Sequence, residues 1–274
     1  MKERVITGVV LAVALIPLLF VGEVFFYGAL GILVLIGAAE MFFMIHKDEV
    51  RSRIRFTVHL LTTFILYGLV LSLYLGVIEP VFVLLFLFLM VLGFLLSAVF
   101  SESINMASIG KVFVSVWYVA IAFAAIGMVR SHGVAVLGYM LILSMVTDMF
   151  AYFIGIKFGK HRLAPTISPK KSVEGAVGGT IVAVLIASIY AYYMGIFGAD
   201  QSLFVLFTIF IIGGVFVSVM AQLGDLVASK FKREHGIKDF SQLFPGHGGV
   251  MDRFDSSVFA AVALMIVIMI SEVL

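Results

Sequence analysis

Long apolar runs separated by short polar links fill most of the chain. They fall at about 5–22, 24–45, 57–78, 81–100, 112–129, 133–155, 176–198, 203–224 and 256–273. A helix of about 20 such residues crosses the hydrocarbon core of a bilayer, which is roughly 30 Å thick. The pattern therefore predicts an all-α, polytopic integral membrane protein with about nine transmembrane helices.

The composition excludes the other broad classes of protein. Of the 274 residues, 63% are hydrophobic and 12% are charged, whereas a soluble domain is about half apolar and about a quarter charged. A globule of this size has too little polar surface to hide so many apolar side chains, so a soluble enzyme is excluded. The absence of cysteine also excludes disulfides, thiolate nucleophiles and cysteine-ligated zinc.

The basic residues predict the orientation in the membrane. With nine spans, 17 of the 18 Lys and Arg residues lie on the side of the N-terminus, and only Arg130 lies on the other. Cytoplasmic loops carry the excess of Lys and Arg, so we expect a cytoplasmic N-terminus in an inner or plasma membrane. The 17 residues are Lys2, Arg4, Lys47, Arg51, Arg53, Arg55, Lys111, Lys157, Lys160, Arg162, Lys170, Lys171, Lys230, Lys232, Arg233, Lys238 and Arg253.

Two hydrophilic segments on the predicted cytoplasmic side, 157–175 and 225–255, are longer than the other links. Both mix Lys and Arg with Gly, Pro and Ser, a combination suited to binding anions. The simpler alternative is that they are solvated basic loops that contact anionic lipid head groups. We expect 1–130 to be a helical scaffold that packs and forms dimer contacts, and 131–274 to carry the chemistry on these two loops.

Three carboxylates flank the second segment. Asp225 ends an apolar run whose helix is expected to continue beyond the membrane face, and Asp252 and Asp255 begin the last helix. A spacing of three places Asp252 and Asp255 on one face of a first turn. The simpler interpretation is a structural one, because the helix dipole stabilises negative charge at a helix N-terminus. Alternatively, all three supply oxygen ligands to a hard cation such as Mg²⁺, which often uses one or two carboxylates plus substrate phosphates.

Two further acids lie within apolar runs. Asp148 is a functional candidate because an ionisable group at that depth is costly, although a structural carboxylate paired with a loop lysine is the alternative. Glu40 is a weaker case and is expected to be a packing or structural acid.

The segment from Ser168 to Gly179 predicts a turn that leads into the seventh span. Ser168 is a candidate helix cap, Lys170 and Lys171 are placed to reach a phosphate, and the glycines allow close backbone packing. A second glycine-rich stretch, 247–249, adds an imidazole, His247, to a flexible loop. The six histidines show no spacing typical of a metal site.

The string from Ser229 to Asp255 resembles the signature of phosphatidate cytidylyltransferases, the CDP-diacylglycerol synthases. The earlier string ISPKKSVEGAVGG is similar to a second stretch of that family, although Val173 stands where the family commonly has Trp. The residues that carry the first resemblance are Ser229, Phe231, Lys232, Arg233, Lys238, Asp239, Ser241, Phe244, Pro245, His247, Gly248, Gly249, Val250, Asp252, Arg253, Phe254 and Asp255.

This resemblance implies that CTP and phosphatidate react to give CDP-diacylglycerol and pyrophosphate. It also implies a helical membrane fold, an active site that faces the cytoplasm and a requirement for Mg²⁺, with one or two ions bound. The expected partners are the lipid bilayer and a second copy of the chain, with no nucleic acid. Metal binding would fall to Asp225, Asp252 and Asp255. Lys170 and Lys171 would clamp the triphosphate, and Lys171 would be catalytic together with the three carboxylates. The other expected substrate-binding residues are Asp148, Ser168, Arg233, Lys238, His247, Gly248, Gly249 and Arg253.

Other functions predict different features. A transporter would carry charges near mid-depth in several spans, whereas most acids here lie at the cytoplasmic ends. A CTP- or ATP-dependent lipid kinase on a related scaffold would transfer the γ-phosphate instead. A CDP-alcohol phosphotransferase would carry the string D-G-x2-A-R-x8-G-x3-D-x3-D, which does not occur in this sequence.

Overall fold

The structure, a computed structural model, describes residues 17, 19, 20, 22–47, 52–101, 105–196 and 208–273. Within these residues the chain forms long helices and one short antiparallel hairpin, β1 (Arg162–Ala164) and β2 (Ser168–Ser172). The helices are α1 (Glu23–Ile45), α2 (Arg53–Tyr74), α3 (Pro80–Phe100), α4 (Met106–Ser131), α5 (Val134–Phe158), α6 (Val173–Met194), α7 (Gly214–Glu234) and α8 (Met251–Val273). A π-helical segment, Thr208–Gly213, leads into α7.

The predicted fold class is confirmed. In the described part of the chain, eight helices are long and apolar enough to cross a membrane, with mean hydropathies between 1.8 and 2.9. The first of the nine predicted spans, 5–22, lies outside the described residues except for 17, 19, 20 and 22. The protein is therefore a polytopic helical membrane protein, and the exact span count and the cytoplasmic N-terminus stay predictions.

The chain divides into two compact units. The first comprises Met1–Met128 with Ile237–Met251, and the second comprises Val129–Gly236 with Asp252–Leu274. The expected division of roles between 1–130 and 131–274 is a statement about function and stays a prediction.

Residues with short polar side chains fix where several helices begin. The Ser52 Oγ accepts a hydrogen bond from the Arg55 backbone N–H at 3.5 Å, and Asn105 Oδ1 accepts one from Ser108 N–H at 2.8 Å. Pro80 occupies the first turn of α3, where its missing N–H costs nothing. Such caps satisfy N–H groups that have no partner within the helix.

The hairpin is a difference from the sequence expectation of a plain loop over 157–175. Arg162 pairs with Ser172 across it. Glu174 fixes the start of the hairpin, because its carboxylate accepts hydrogen bonds from the Lys160 and His161 N–H groups and contacts His161 Nδ1 at 2.6 Å.

The prediction that Ser168 caps the helix is wrong. Because α6 begins at Val173, the capping residue is Ser172, whose Oγ accepts from Gly175 N–H at 3.2 Å.

Close backbone packing joins α5 and α6 in the second unit, as the glycine pattern predicts. A Cβ built on Gly179 would lie 2.6 Å from the Thr147 carbonyl oxygen and 2.8 Å from the Ala151 nitrogen. A Cβ on Gly175 would overlap the Ala151 carbonyl. Small residues let membrane helices approach this closely. Because the hydrophobic effect does not drive helices together within lipid, van der Waals packing between the helices stabilises the contact instead.

We expect Gly179→Ala to destabilise the protein by about 1–3 kcal/mol, the typical cost of overpacking, because the new methyl group meets backbone that cannot rotate away. Thermal unfolding of the detergent-purified protein measures the effect. Gly28→Ala is the matched control, since a Cβ at Gly28 meets nothing within 4 Å. Equal melting temperatures for the two variants would contradict the close packing.

The first unit shows the segregation expected of a protein in lipid. Val34, Leu66 and Phe123 are fully buried, whereas Leu84 and Phe88 on α3 are 66% and 65% exposed. Only 11% of the most apolar window of α3 is buried. Hydrocarbon is the favourable surroundings for such a helix surface.

Candidate active site

A cavity of about 350 Å³ in the second unit brings together six of the thirteen predicted site residues. Residues from α5, β2, α7 and α8 line it. The lining residues that were predicted from the sequence are Asp148, Ser168, Lys170, Lys171, Asp225 and Asp255. Three carboxylates and two ammonium groups therefore face one space.

Asp225 lies within α7, which continues past it to Glu234 as predicted. Its Oδ2 forms an ion pair with Lys171 Nζ, and both side chains are about one quarter exposed. Its Oδ1 also lies 3.4 Å from the Ser229 hydroxyl, one turn further along α7. The hairpin thus delivers Lys171 to a carboxylate on a different helix.

Asp255 meets Asp225 because α7 and α8 nearly touch at this point. A Cβ built on Gly224 would overlap the Asp255 carbonyl oxygen. The Asp255 carboxylate interacts electrostatically with Asp225, Lys232 and Asp148. The negative charges of Asp225, Asp255 and Asp148 repel one another, so the cavity that they line favours the binding of a cation.

Asp148 is the third carboxylate of the cavity. It accepts a hydrogen bond from the Ser256 hydroxyl at 2.6 Å, which joins α5 to α8. It also interacts electrostatically with Lys171 and Asp225. The electrostatic interaction with Lys171 agrees with the structural alternative for Asp148, although the ion pair of that lysine is with Asp225. The place of Asp148 on the cavity agrees with the substrate-binding alternative.

Asp252 has different surroundings. It lies in the first turn of α8, as predicted, and its Oδ1 accepts a hydrogen bond from Lys232 Nζ at 2.7 Å. Both side chains are almost fully buried, 3% exposed for Asp252 and 9% for Lys232. Asp252 is not among the residues that line the cavity. Its expected role as a metal ligand stays a prediction.

A row of buried polar side chains lies beside the cavity and was not predicted. Thr147 and Ser218 are 2.7 Å apart, Ser218 donates to Thr180 at 2.9 Å, and Gln222 Nε2 donates to the same Thr180 oxygen at 2.9 Å. Gln222 also lines the cavity. The signal in the sequence was its position three residues before Asp225, which places both side chains on one face of α7.

The acidic side chains of the cavity are of the type that binds Mg²⁺, because Asp148, Asp225 and Asp255 offer carboxylate oxygens. Across the described ranges, no three or more His, Asp or Glu side chains are arranged to hold a metal ion by themselves. Mg²⁺ does not need such a cage, since one or two carboxylates plus substrate phosphates are its usual protein-bound ligands.

The glycine-rich loop 246–249 belongs to the first unit. It is a tight turn in which the Phe244 N–H donates to the Gly248 carbonyl at 2.9 Å and the His247 N–H donates to the Phe244 carbonyl at 2.8 Å. Gly246 and Gly248 have φ angles of 74° and 82°, which other residues rarely adopt. In the described structure, the His247 Nδ1 atom is buried without a hydrogen-bond partner.

Glu40 anchors the end of this loop in the first unit, in line with its expected structural role. Its carboxylate accepts hydrogen bonds from the Ser241 hydroxyl at 2.6 Å and from the Val250 and Met251 N–H groups at 2.9 and 2.8 Å. Glu40 is only 4% exposed. A Cβ on Gly249 would overlap the Glu40 carboxylate, so a larger residue here would displace that side chain from its hydrogen bonds.

We expect Glu40→Gln to loosen the loop 241–251. Both carboxylate oxygens of Glu40 accept hydrogen bonds, whereas the amide of Gln has only one acceptor oxygen. Hydrogen exchange of the amides of 241–251 is expected to accelerate by about tenfold, as for the loss of one hydrogen bond to a charged group. Glu79→Gln, at the start of α3, is the control. Unchanged exchange in Glu40→Gln would show that the carboxylate does not order the loop.

The remaining predicted cations are exposed. Arg233 lies in the last turn of α7, Lys238 in the loop that follows and Arg253 in the first turn of α8. None of the three lines the cavity. Their expected role in substrate binding stays a prediction.

Comparison with known proteins gives a consistent result. The model of the cytidylyltransferase family matches residues 2–271. Proteins named phosphatidate cytidylyltransferase are similar to this chain. The protein from Staphylococcus haemolyticus is 40% identical over 154 residues, 56% of each chain, and that from Haemophilus influenzae is 48% identical over 126 residues, 46% of this chain and 42% of the relative. The matched segments span about half the length of these curated relatives. Because the family model covers nearly the whole sequence, the chain belongs to the cytidylyltransferase family.

Proposed function

We propose that the protein is a phosphatidate cytidylyltransferase, which joins CTP and phosphatidate to give CDP-diacylglycerol and pyrophosphate in phospholipid biosynthesis. The observation that carries the proposal is the cavity of the second unit, in which Lys170 and Lys171 face the carboxylates of Asp148, Asp225 and Asp255. Family membership supports the cytidylyl chemistry, and the named relatives support phosphatidate as the acceptor.

In this reaction a phosphate oxygen of phosphatidate attacks the α-phosphorus of CTP. A new P–O–P bond forms, the bond between the α-phosphorus and the bridging oxygen breaks, and pyrophosphate leaves with that electron pair. The attacking oxygen is already anionic, so a strong general base is not required. Catalysis then depends on positioning and on charge neutralisation.

The chain's own residues have separate tasks in this proposal. Lys170 and Lys171 neutralise the triphosphate, and Ser168 donates a hydrogen bond to it. Asp225, Asp252 and Asp255 would hold one or two Mg²⁺ ions, whose bound charge would stabilise the leaving pyrophosphate. The exposed guanidinium groups of Arg233 and Arg253 and the Lys238 ammonium would meet the lipid phosphate, for which the planar fork of Arg is well suited.

The membrane setting explains how the two substrates meet. CTP is a cytoplasmic solute, and we therefore place the cavity on the cytoplasmic side, in agreement with the distribution of Lys and Arg. Phosphatidate would enter sideways from the inner leaflet, because its two acyl chains leave the bilayer only at a high cost. The homodimer implied by the family resemblance is part of the same proposal.

Incubation of the detergent-purified protein with CTP, phosphatidate and Mg²⁺ tests the function. We expect release of one pyrophosphate for each CDP-diacylglycerol formed, and loss of both products in EDTA. Release of CDP, or of ADP when ATP replaces CTP in a parallel incubation, together with a phosphorylated lipid would instead identify a kinase and overturn the proposal. Absence of turnover with either nucleotide, combined with substrate flux in vesicles, would support a transporter.

Lys171→Ala is expected to raise the KM for CTP by about tenfold or more, since a charged hydrogen bond to the triphosphate is worth roughly 1.5–3 kcal/mol. Steady-state kinetics with varied CTP measures the change. Lys230→Ala is the control, because Lys230 pairs with Glu234 on an exposed surface of α7. An unchanged KM for CTP would remove the proposed clamp.

A further inference from the structure

A second cavity, of about 510 Å³, lies entirely within the first unit and shares no residue with the catalytic cavity. Residues of α1, α2, α3 and α4 line it. Most of its walls are apolar, with Val58, Phe86, Leu89 and Met90 among the lining side chains. Val58 and Leu89 are 48% and 53% exposed, so the cavity opens on the apolar outer surface of these helices, the surface that hydrocarbon would cover.

One end of this cavity is polar. His46 lies at the end of α1, Arg55 in the first turn of α2, Ser97 near the end of α3 and Ser108 in the first turn of α4. Antiparallel neighbours place these four helix ends at the same membrane face. A cation in a first turn opposes the helix dipole, which favours a negative charge there.

His59 is a buried polar group on the cavity wall. It is 2% exposed, and neither ring nitrogen makes a hydrogen bond of normal geometry within the described structure, although the Ala38 backbone is close enough to interact with the ring. The Phe42 ring packs against both histidines, with its centroid 4.2 Å from that of the His46 ring and 5.6 Å from that of the His59 ring. Buried polar groups normally have hydrogen-bond partners. The missing partner of His59 within the described residues therefore indicates that a ligand in the cavity supplies one.

We propose that this cavity binds a phospholipid with an anionic head group. The phosphate lies at the polar end with Arg55 and His59, and one acyl chain extends between α2 and α3 along Val58, Leu89 and Met90. Charge complementarity selects the head group. The opening toward hydrocarbon selects a molecule that arrives from the bilayer rather than from water.

The site is distinct from the catalytic one and does not depend on the proposed reaction. The lipid here is a bound structural or regulatory ligand that is not consumed. A phospholipid that is not a substrate, such as phosphatidylglycerol, therefore occupies it as well as phosphatidate does.

Photolabelling tests the proposal on the full-length protein. The probe is phosphatidylglycerol with a photoreactive acyl chain, in detergent micelles, and labelled peptides are mapped by mass spectrometry. Gly93→Phe fills the cavity, because Gly93 lines it and a Cβ there meets nothing within 4 Å. Gly68→Phe is the matched control, since Gly68 is equally open and does not line the cavity.

We expect labelled peptides from α2 and α3 in the wild type and in Gly68→Phe, and about a fivefold loss in Gly93→Phe and in Arg55→Gln, roughly the effect of one interfacial cation. Asp225→Asn, which alters only the catalytic cavity, is expected to label normally. Equal competition by unlabelled phosphatidylcholine, or full labelling of Gly93→Phe, would overturn the proposal. Displacement by inorganic phosphate alone would also overturn it, since the site would then recognise only the anion.

Discussion

Asp225→Asn is expected to lower the rate of CDP-diacylglycerol formation by at least about a hundredfold, the usual loss when one preorganised charge-stabilising group is removed from an active site. The substitution weakens the carboxylate set that would hold Mg²⁺, and it releases Lys171 from its ion pair. Pyrophosphate release at saturating CTP, phosphatidate and Mg²⁺ measures the effect. Raising the Mg²⁺ concentration should recover only a small part of the rate.

Glu234→Gln provides the control for this variant. It makes the same change from carboxylate to amide on the same helix, at a half-exposed residue that pairs with Lys230. We expect turnover within about twofold of wild type, because exposed ion pairs contribute little. Near-normal turnover of Asp225→Asn would show that the chemistry does not depend on this carboxylate.

Asp252→Asn is expected to have a second large effect, in this case on stability as well as turnover. Lys232 would be left charged and buried without its carboxylate, and breaking a buried pair in this way costs about 3–5 kcal/mol. Thermal unfolding in detergent should show a clear fall in the melting temperature. An unchanged melting temperature would mean that the pair does not stabilise the fold.

The double variant Lys232→Met with Asp252→Leu separates the two roles of Asp252. Replacing both partners of a buried ion pair by apolar side chains is often neutral or stabilising. We therefore expect a melting temperature close to that of the wild type, with no Mg²⁺-dependent turnover. Turnover at the wild-type rate in the double variant would show that Asp252 acts only as the partner of Lys232.

The sequence was most informative where a single local pattern decides the structure. Apolar runs of membrane length predict helices regardless of their neighbours, and eight of the predicted spans are helices in the described residues. The place of Asp225 within a helix that continues past it and of Asp252 in a first turn followed from the same kind of reasoning. The glycines of 175–179 predicted close backbone packing, and the structure shows that α5 is the partner.

Features that depend on pairing between distant residues were beyond sequence reasoning. The hairpin 162–172 has no alternation of apolar and polar residues, and it is fixed by contacts of Glu174 with the chain that precedes it. Several lysines near the second hydrophilic segment were equally plausible partners for Asp252, and only the structure selects Lys232. Ser172, and not Ser168, caps the helix because residues Ser168–Ser172 pair as a strand and the helix begins only at Val173.

The anchoring of the glycine-rich loop by Glu40 sets an order on the biogenesis of the protein. The acceptor lies 210 and 211 residues before the N–H groups that it binds. During translation, α1 must therefore enter the bilayer with this acid before its partners have left the ribosome. The loop can close only when almost the entire chain has been made. Nascent chains that stop short of Val250 therefore lack both backbone hydrogen bonds to Glu40, and we expect them to be targets for membrane proteases.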